Sequence, residues 1–185
     1  FDRYREGIAI LSRHAFRKTS AGYVSESQDI YSIHARKAVM GQIDVPHFGR
    51  VNVFSVHLSW WTDGFAQQFE QLRRWAEEKH TAQTVATLLC GDFNVAAGSD
   101  GYGLFVEARE YDDQYLKVQN RAAFDQVFRQ RSTHWRGILT HDGRIDYVWL
   151  RKDSPLKAVA ARELFTDQDY GRVSDHTGYL VEFEL

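Results

Sequence analysis

The chain has 185 residues, 43% of them apolar, and a formal net charge of −2. This is the length and composition of one globular domain with a sizeable core, which argues against a disordered or membrane-spanning chain. Nucleic-acid-binding proteins usually carry a positive face, and no lysine or arginine run stands out, so the charge favours a small substrate. The single cysteine, Cys90, lies in an apolar run and is interpreted as a core residue; a chain without disulfides fits a cytoplasmic location.

The first half of the sequence predicts strands followed by a helix. The apolar run from Gly7 to Ser12 predicts a buried strand, and Ala38 to Val45 alternates well enough for a second. Val51 to Leu58 is the clearest strand, with valines and aromatics at a period near two. Apolar residues then recur at helical spacing, which predicts a helix from about Phe65 to Lys79. Its apolar stripe is Phe65, Phe69, Leu72, Trp75 and Ala76, and its other face is Gln67, Gln68, Gln71, Arg74 and Glu78.

The second half predicts further strands and two short helices, without a repeat or linker that would divide residues 1–185 into domains. Many strands with few helices favour an α/β (α+β) fold in which two sheets pack together and helices lie outside. The strands are expected at Val85 to Cys90, Arg144 to Leu150, Leu156 to Phe165 and Tyr179 to Leu185, and the helices at Tyr102 to Arg109 and Ala122 to Arg129.

The motif Gly91-Asp92-Phe93-Asn94 follows one of the predicted strands. Asp92 and Asn94 are two residues apart, so on an extended chain they share a face, and Gly91 lets the backbone bend or approach a ligand. A carboxylate can hold Mg²⁺ or take a proton from water, and an amide can donate to a phosphate oxygen. The alternative interpretation is an Asx-rich turn after a strand.

A second carboxylate, Asp146, lies inside an apolar strand, where it is costly unless paired. Its natural partner is a histidine, and His176 is the candidate; the alternative is an ion pair with Arg144 or Arg151. Asp175 and His176 are adjacent and could serve different atoms of one ligand, the metal for one and the phosphate for the other. The alternative for these two is a loop acid or helix cap beside a surface histidine.

His57 ends the clearest strand, where it could also be a satisfied core residue, and Trp60 and Trp61 follow it. Exposed indoles there would form a stacking surface for a sugar ring or a base; alternatively they plug the sheet. Carboxylates for a hard cation, two imidazoles for proton transfer and an amide together indicate metal-assisted attack of water on a phosphate ester. The remaining histidines are interpreted as surface or structural: His14, His34, His47, His80, His134 and His141.

As an ordered set, these motifs resemble the endonuclease/exonuclease/phosphatase superfamily, which includes pancreatic-type deoxyribonucleases and abasic-site endonucleases. The resemblance runs from about Tyr4 to Leu185. It implies a four-layer sandwich of two stacked, mostly antiparallel sheets flanked by helices, with Mg²⁺ or Mn²⁺ as cofactor. The motifs that carry it are Glu6-Gly7, Arg36, His57, Gly91-Asp92-Phe93-Asn94, Asp146 and Ser174-Asp175-His176.

The resemblance also implies roles for the residues around the metal and the phosphate. Asp175 would coordinate or approach the metal, and Asp92 would share the metal or orient and deprotonate the attacking water. His176 would contact the scissile phosphate, held by Asp146. Asn94 would hold the phosphate or the water.

Further roles by resemblance fall on the leaving-group side. His57 would assist the leaving group with Glu6 as its carboxylate partner, and Arg36 would bind phosphate. The segments Tyr4 to Arg13 and His57 to Trp61 look most like bacterial sugar-phosphate phosphatases of the maltose 6'-phosphate phosphatase type. The expected activity is therefore hydrolysis of a small phosphorylated substrate, a sugar phosphate, away from any membrane. Alternatives are a nuclease of the same superfamily, a phospholipid head-group hydrolase and a non-catalytic binding member.

One departure from the family pattern concerns the amino-terminal side. The family has an earlier strand carrying an asparagine and a strand ending in a metal-binding glutamate, and neither precedes Phe1. We therefore expect that the sequence begins partway through a longer product and lacks part of one sheet. If that part is truly absent, weak metal binding and an exposed sheet edge are expected.

Overall fold

A computed structural model describes residues 7–32, 34–118, 144–165, 174 and 176–185, and the backbone alone of 131–133 and 140–142. The helix expected at Ala122 to Arg129 and the site residues Glu6 and Asp175 lie outside this part. Across the described residues, no helix is long and apolar enough to cross a membrane.

The described elements are strands with three helices between them. The helices are α1 (Phe65–Lys79), α2 (Asp100–Ala108) and α3 (Gln114–Val118), and a 3₁₀ turn spans Trp61–Asp63. The strands are β1 (Phe16–Tyr23), β2 (Lys37–Val45), β3 (Gly49–His57), β4 (Thr84–Asp92), β5 (Tyr111–Asp113), β6 (Arg131–Thr133), β7 (Thr140–Asp142), β8 (Asp146–Arg151), β9 (Lys157–Leu164) and β10 (Gly178–Glu184).

Six strands form the central sheet in the order β1-β2-β3-β4-β8-β5. β3 and β4 are parallel and joined through α1, whereas every other neighbouring pair in this sheet is antiparallel. β9 pairs with β10, and β6 with β7, in two-stranded antiparallel sheets. The predicted fold class is confirmed: this is an α/β protein of mostly antiparallel sheets with few helices.

The two faces of the central sheet carry separate hydrophobic clusters. On the face covered by α1 and α2, Phe105 stacks on Trp149 with ring centroids 4.1 Å apart and contacts Phe69 at 4.3 Å. On the other face a smaller cluster around Leu88 and Leu150 receives Phe183 from β10. The β9-β10 sheet therefore packs against the central sheet, with the helices on its opposite side.

Helix α1 begins and ends at the predicted residues, but one side chain that was predicted on its polar face is buried. Gln68 was predicted on the polar face, but it is 3% exposed, next to Phe69 and one turn from Phe65 and Leu72. An amide can occupy a buried position when both of its ends are hydrogen-bonded, which is the case here.

The predicted strand from Gly7 to Ser12 is wrong. Residues 7–12 form no strand and Leu11 is 95% exposed. An apolar run becomes a buried strand only when other strands hydrogen-bond to it, and no described strand pairs with this run. The first strand among the described residues is instead β1, which was not predicted because it carries mostly polar side chains such as Arg17, Lys18 and Thr19.

Candidate active site

Three polar residues form one row across the central sheet. β3 ends at His57, β4 ends beside it at Asp92, and β8 begins on the other side of β4 at Asp146. His57 is the register partner of Asp92, and Asp92 is the register partner of Asp146. Register partners project their side chains from the same face. The pairing of the strands alone therefore brings three predicted site residues together.

Gly91 allows this row to form. Its backbone has φ +129°, and a Cβ atom at this position would lie 2.2 Å from the carbonyl oxygen of Val56. Only glycine tolerates both that conformation and such a close approach. The glycine of the motif thus lets β4 stay paired with β3 up to Asp92.

His176 completes the cluster from the carboxyl-terminal side. Its Nδ1 lies 2.7 Å from Oδ2 of Asp146, which is the predicted pair. The alternative partners of Asp146 are engaged elsewhere, Arg144 with Asp113 and Arg151 with exposed carboxylates. Asp92 lies between the two imidazoles, with its Oδ2 3.6 Å from Nε2 of His57 and 4.0 Å from Nε2 of His176. These two distances exceed a hydrogen bond, so Asp92 and each imidazole attract one another only when the imidazole is protonated.

Asp92 has an unusual electrostatic environment. Burial, and then the neighbouring charge of Asp146, raises the pKa of Asp92 to about 7. The backbone N–H of Asn94 and the charges of His176 and Arg36 act in the opposite direction but do not cancel the rise. Two neighbouring carboxylates with little positive charge around them repel one another. A bound hard cation would reduce that repulsion, and carboxylates are ligands that such a cation prefers.

The described donors fit a magnesium-type ion only partly. Within the described residues there is no group of three or more His, Cys, Asp or Glu side chains arranged to hold a metal. Mg²⁺ is usually held by one or two carboxylates and completes its shell with water and substrate oxygens, so Asp92 with one further carboxylate would be sufficient. Asp175, the other predicted ligand, lies outside the described residues.

Asn94 ties the end of β4 to the segment after β3. Its backbone N–H donates to Oδ1 of Asp92 at 2.8 Å, which is the Asx turn considered as the alternative for this motif. Its side-chain Nδ2 donates to the carbonyl of Leu58 at 2.8 Å, and its Oδ1 accepts from the indole Nε1 of Trp60 at 2.8 Å. The turn and the site therefore coexist: Asp92 closes the turn with Oδ1 and faces the imidazoles with Oδ2.

The two tryptophans lie beside this cluster and are largely open to solvent. Trp60 is 53% exposed and Trp61 is 43% exposed, and Trp61 also contacts the ring of Phe65 at 6.1 Å. A cavity of about 450 Å³ between α1 and α2 lies elsewhere, and its lining includes none of the predicted site residues. The described candidate site thus lies at the ends of the central strands β3 and β4, with exposed indole faces next to it.

Arg36 lies at the same end of the sheet, held by residues for which the sequence suggested no such role. Its Nε donates to the hydroxyl of Ser59 at 3.2 Å, and Ser59 is in turn hydrogen-bonded to Gln68 of α1. The sequence does contain a signal that Gln68 is buried. It lies three residues after Phe65 and four before Leu72, which is a core position of an amphipathic helix.

The comparison with protein families agrees with this geometry. The chain matches the Endonuclease/Exonuclease/phosphatase family over residues 1–176 and belongs to that family. As its name states, the family comprises nucleases and phosphatases, which hydrolyse phosphate esters. No curated protein matches the chain.

Solved structures share the fold at low sequence identity. An endonuclease/exonuclease/phosphatase family protein from Leptotrichia buccalis C-1013-b superposes with TM-score 0.72 at 20% identity, covering 94% of this chain and 64% of that protein. A mannosyl-6-phosphatase from Bacteroides thetaiotaomicron VPI-5482 gives TM-score 0.66 at 16% identity, covering 92% and 67%. TDP2 from D. rerio, complexed with a single-strand DNA product, gives TM-score 0.67 at 16% identity, covering 92% and 68%. The chain thus spans about two thirds of the length of these proteins.

Proposed function

We propose that this protein hydrolyses a phosphate monoester, a sugar phosphate, with Mg²⁺ or Mn²⁺ as cofactor. The observation that carries the proposal is the row formed by His57, Asp92 and Asp146, with His176 held against it by Asp146. Together with His176, the row brings carboxylates and two imidazoles together, and imidazoles can accept and donate protons at neutral pH.

The proposed chemistry is attack of water on phosphorus. The oxygen of water forms a bond to phosphorus, the bond from phosphorus to the sugar oxygen breaks, and the water proton passes to Asp92. His57 gives a proton to the departing sugar oxygen, and His176, oriented by Asp146, contacts a phosphate oxygen. Asp92 and Asp175 would hold the cation, which when bound supplies positive charge to the phosphoryl oxygens. The assignments of Glu6 and Asp175 remain predictions from the resemblance.

A sugar phosphate is favoured by the surroundings of the row. Trp60 and Trp61 present exposed indole faces, which suit the apolar face of a sugar ring. The formal net charge of −2 favours a small ester over a polyanion. One structural neighbour is a mannosyl-6-phosphatase, which supports the same substrate class.

A nuclease is the second candidate, because a structural neighbour was solved with a single-strand DNA product. Ionic strength separates the two candidates. The KM for a sugar phosphate should change little between 50 and 200 mM salt, whereas nucleic-acid affinity would fall by about a thousandfold or more for six or more phosphate contacts.

The proposal is tested by phosphate release from the full-length gene product with Mg²⁺ or Mn²⁺, over hexose phosphates, nucleotides and DNA. His176→Ala should lower kcat for the best substrate by about 100-fold or more, whereas His14→Ala, at an exposed histidine away from the row, should leave it unchanged. Equal rates for the wild type and His176→Ala would refute the mechanism, and cleavage of DNA in preference to all monoesters would refute the substrate class.

A further inference from the structure

Gln68 makes a two-point contact with the segment that follows β3. Its Oε1 accepts a hydrogen bond from the backbone N–H of Ser59 at 2.8 Å, and its Nε2 donates to the hydroxyl of Ser59 at 3.0 Å. Both residues are buried, Gln68 at 3% and Ser59 at 2% exposed. A buried polar pair satisfied at both ends is held rigidly, because any rotation would leave a donor or acceptor without a partner.

The contact continues from Ser59 to Arg36. The Ser59 hydroxyl accepts from Nε of Arg36 at 3.2 Å. Arg36 comes two residues before Ala38, which pairs with Val56 next to His57, so the backbone brings Arg36 to the end of the sheet that carries the row. Among the described residues, neither Nη nitrogen of Arg36 has a hydrogen-bond acceptor, which leaves that edge of the guanidinium available for an anionic ligand.

We propose that Gln68 is a positioning residue for phosphate binding: acting through Ser59, it fixes the guanidinium of Arg36 so that its Nη edge faces the ligand phosphate. This inference rests on the proposed function and deepens it. Gln68 touches neither substrate nor reacting atoms. Its effect is to remove the freedom of a long side chain before the ligand arrives, so that less entropy is lost on binding.

The chain offers a matched control for a buried glutamine. Gln42 is 7% exposed and donates from Nε2 to Oδ1 of Asn52 at 2.9 Å. It lies four residues along β2 from Ala38, which pairs with Val56 at the end of β3 that carries the site. Gln42→Leu therefore removes a buried, hydrogen-bonded amide, as Gln68→Leu does, but from a position in β2 that is distant from Arg36.

The first measurement needs no catalysis. In the full-length protein labelled with ¹⁵N-arginine, the Nε–H of Arg36, assigned with Arg36→Lys, should exchange slowly with water. That protection should persist in Gln42→Leu and be lost in Gln68→Leu and in Ser59→Ala, which keeps the glutamine but removes the hydroxyl acceptor. Persistence of slow exchange in both Gln68→Leu and Ser59→Ala would overturn the proposal.

The second measurement is competitive inhibition of the hydrolase by inorganic phosphate. Gln68→Leu should raise the inhibition constant by about five- to tenfold, with a smaller change in kcat, while Gln42→Leu should leave both unchanged. In an Arg36→Ala background the same Gln68→Leu change should have no further effect, because the residue through which it acts is gone. An equal change in both backgrounds would show a general structural role and overturn the proposal. If the wild type hydrolyses no phosphomonoester, the proposed function fails, and the exchange of the arginine signal still decides the role of Gln68.

Discussion

Asn94 combines a left-handed backbone conformation with a side chain that is hydrogen-bonded at both ends. Its φ is 53°, in the left-handed region that asparagine and glycine adopt more readily than alanine. Asn94→Gly and Asn94→Ala both remove the bonds to Trp60 and Leu58, but only alanine adds strain at the backbone. We therefore expect Asn94→Gly to be at least as stable as Asn94→Ala in urea unfolding, the reverse of the usual order of about 0.5–1 kcal/mol in favour of alanine. A clearly more stable alanine variant would contradict this account.

Asp146 makes a short contact with His176, so we expect its contribution to catalysis to be the orientation of the imidazole ring. Asp146→Asn keeps the shape but loses the charged acceptor at Nδ1. We expect kcat for the best phosphomonoester to fall by about 10- to 100-fold, the usual cost of losing an orienting carboxylate, with a smaller change in KM. The matched control is Asp153→Asn, an exposed carboxylate two residues after β8 that pairs with Arg151. Loss of activity in both variants alike would mean that the effect is not specific to the histidine.

At the scale of elements, the start of β8 is anchored by a buried ion pair. Arg144 is 1% exposed, donates from Nη1 to Oδ1 of Asp113 at 3.0 Å, and its carbonyl accepts from Ala97 and Tyr147. Arg144→Met should cost about 3–5 kcal/mol in free energy of unfolding, because Asp113 is left charged and buried. Asp113→Leu combined with Arg144→Met should recover part of that loss. Urea denaturation of the two single variants and the double variant measures the coupling, and simple additivity would contradict it.

Strand β4 carries Cys90, a partly buried residue that packs against the smaller cluster of the central sheet. Burial raises the pKa of its thiol to about 12, so the reactive thiolate is scarce at pH 8. We expect the native protein to react with a thiol reagent at least about 100-fold more slowly than the same chain in urea. Reaction at equal rates would show that β4 opens to solvent at this position.

The elements also show where sequence patterns carry information and where they do not. Both ends of helix α1 were predictable because its apolar stripe repeats every 3.6 residues. The motif at the end of β4 was predictable because a glycine and two polar residues follow an apolar run. The run at residues 7–12 has the same apolar character, yet strand formation depends on neighbours that the run itself does not encode.

The candidate site divides in the same way. The pair of Asp146 and His176 was predictable, since a carboxylate in an apolar strand needs a partner. The connection from Gln68 through Ser59 to Arg36 was not, because it joins three segments whose proximity arises only from the packing of α1 on the sheet.

For the whole molecule, the unequal clusters on the two faces of the central sheet imply unequal stability. The helix-covered face buries a continuous aromatic core, whereas β9 and β10 pair with each other and, among the described strands, with no other. We expect amide hydrogens of β3 and β4 to exchange only on global unfolding, and those of β9 and β10 to exchange faster through a local opening that leaves the helix side intact. Hydrogen exchange followed by mass spectrometry, with increasing urea, distinguishes the two routes.

The local opening should not disturb the candidate site. Because β9 and β10 contribute Phe183 but no residue of the row formed by His57, Asp92 and Asp146, such an opening would leave the row itself paired. Exchange in β9 and β10 as slow as in β4 would show instead that both sheets unfold as one unit.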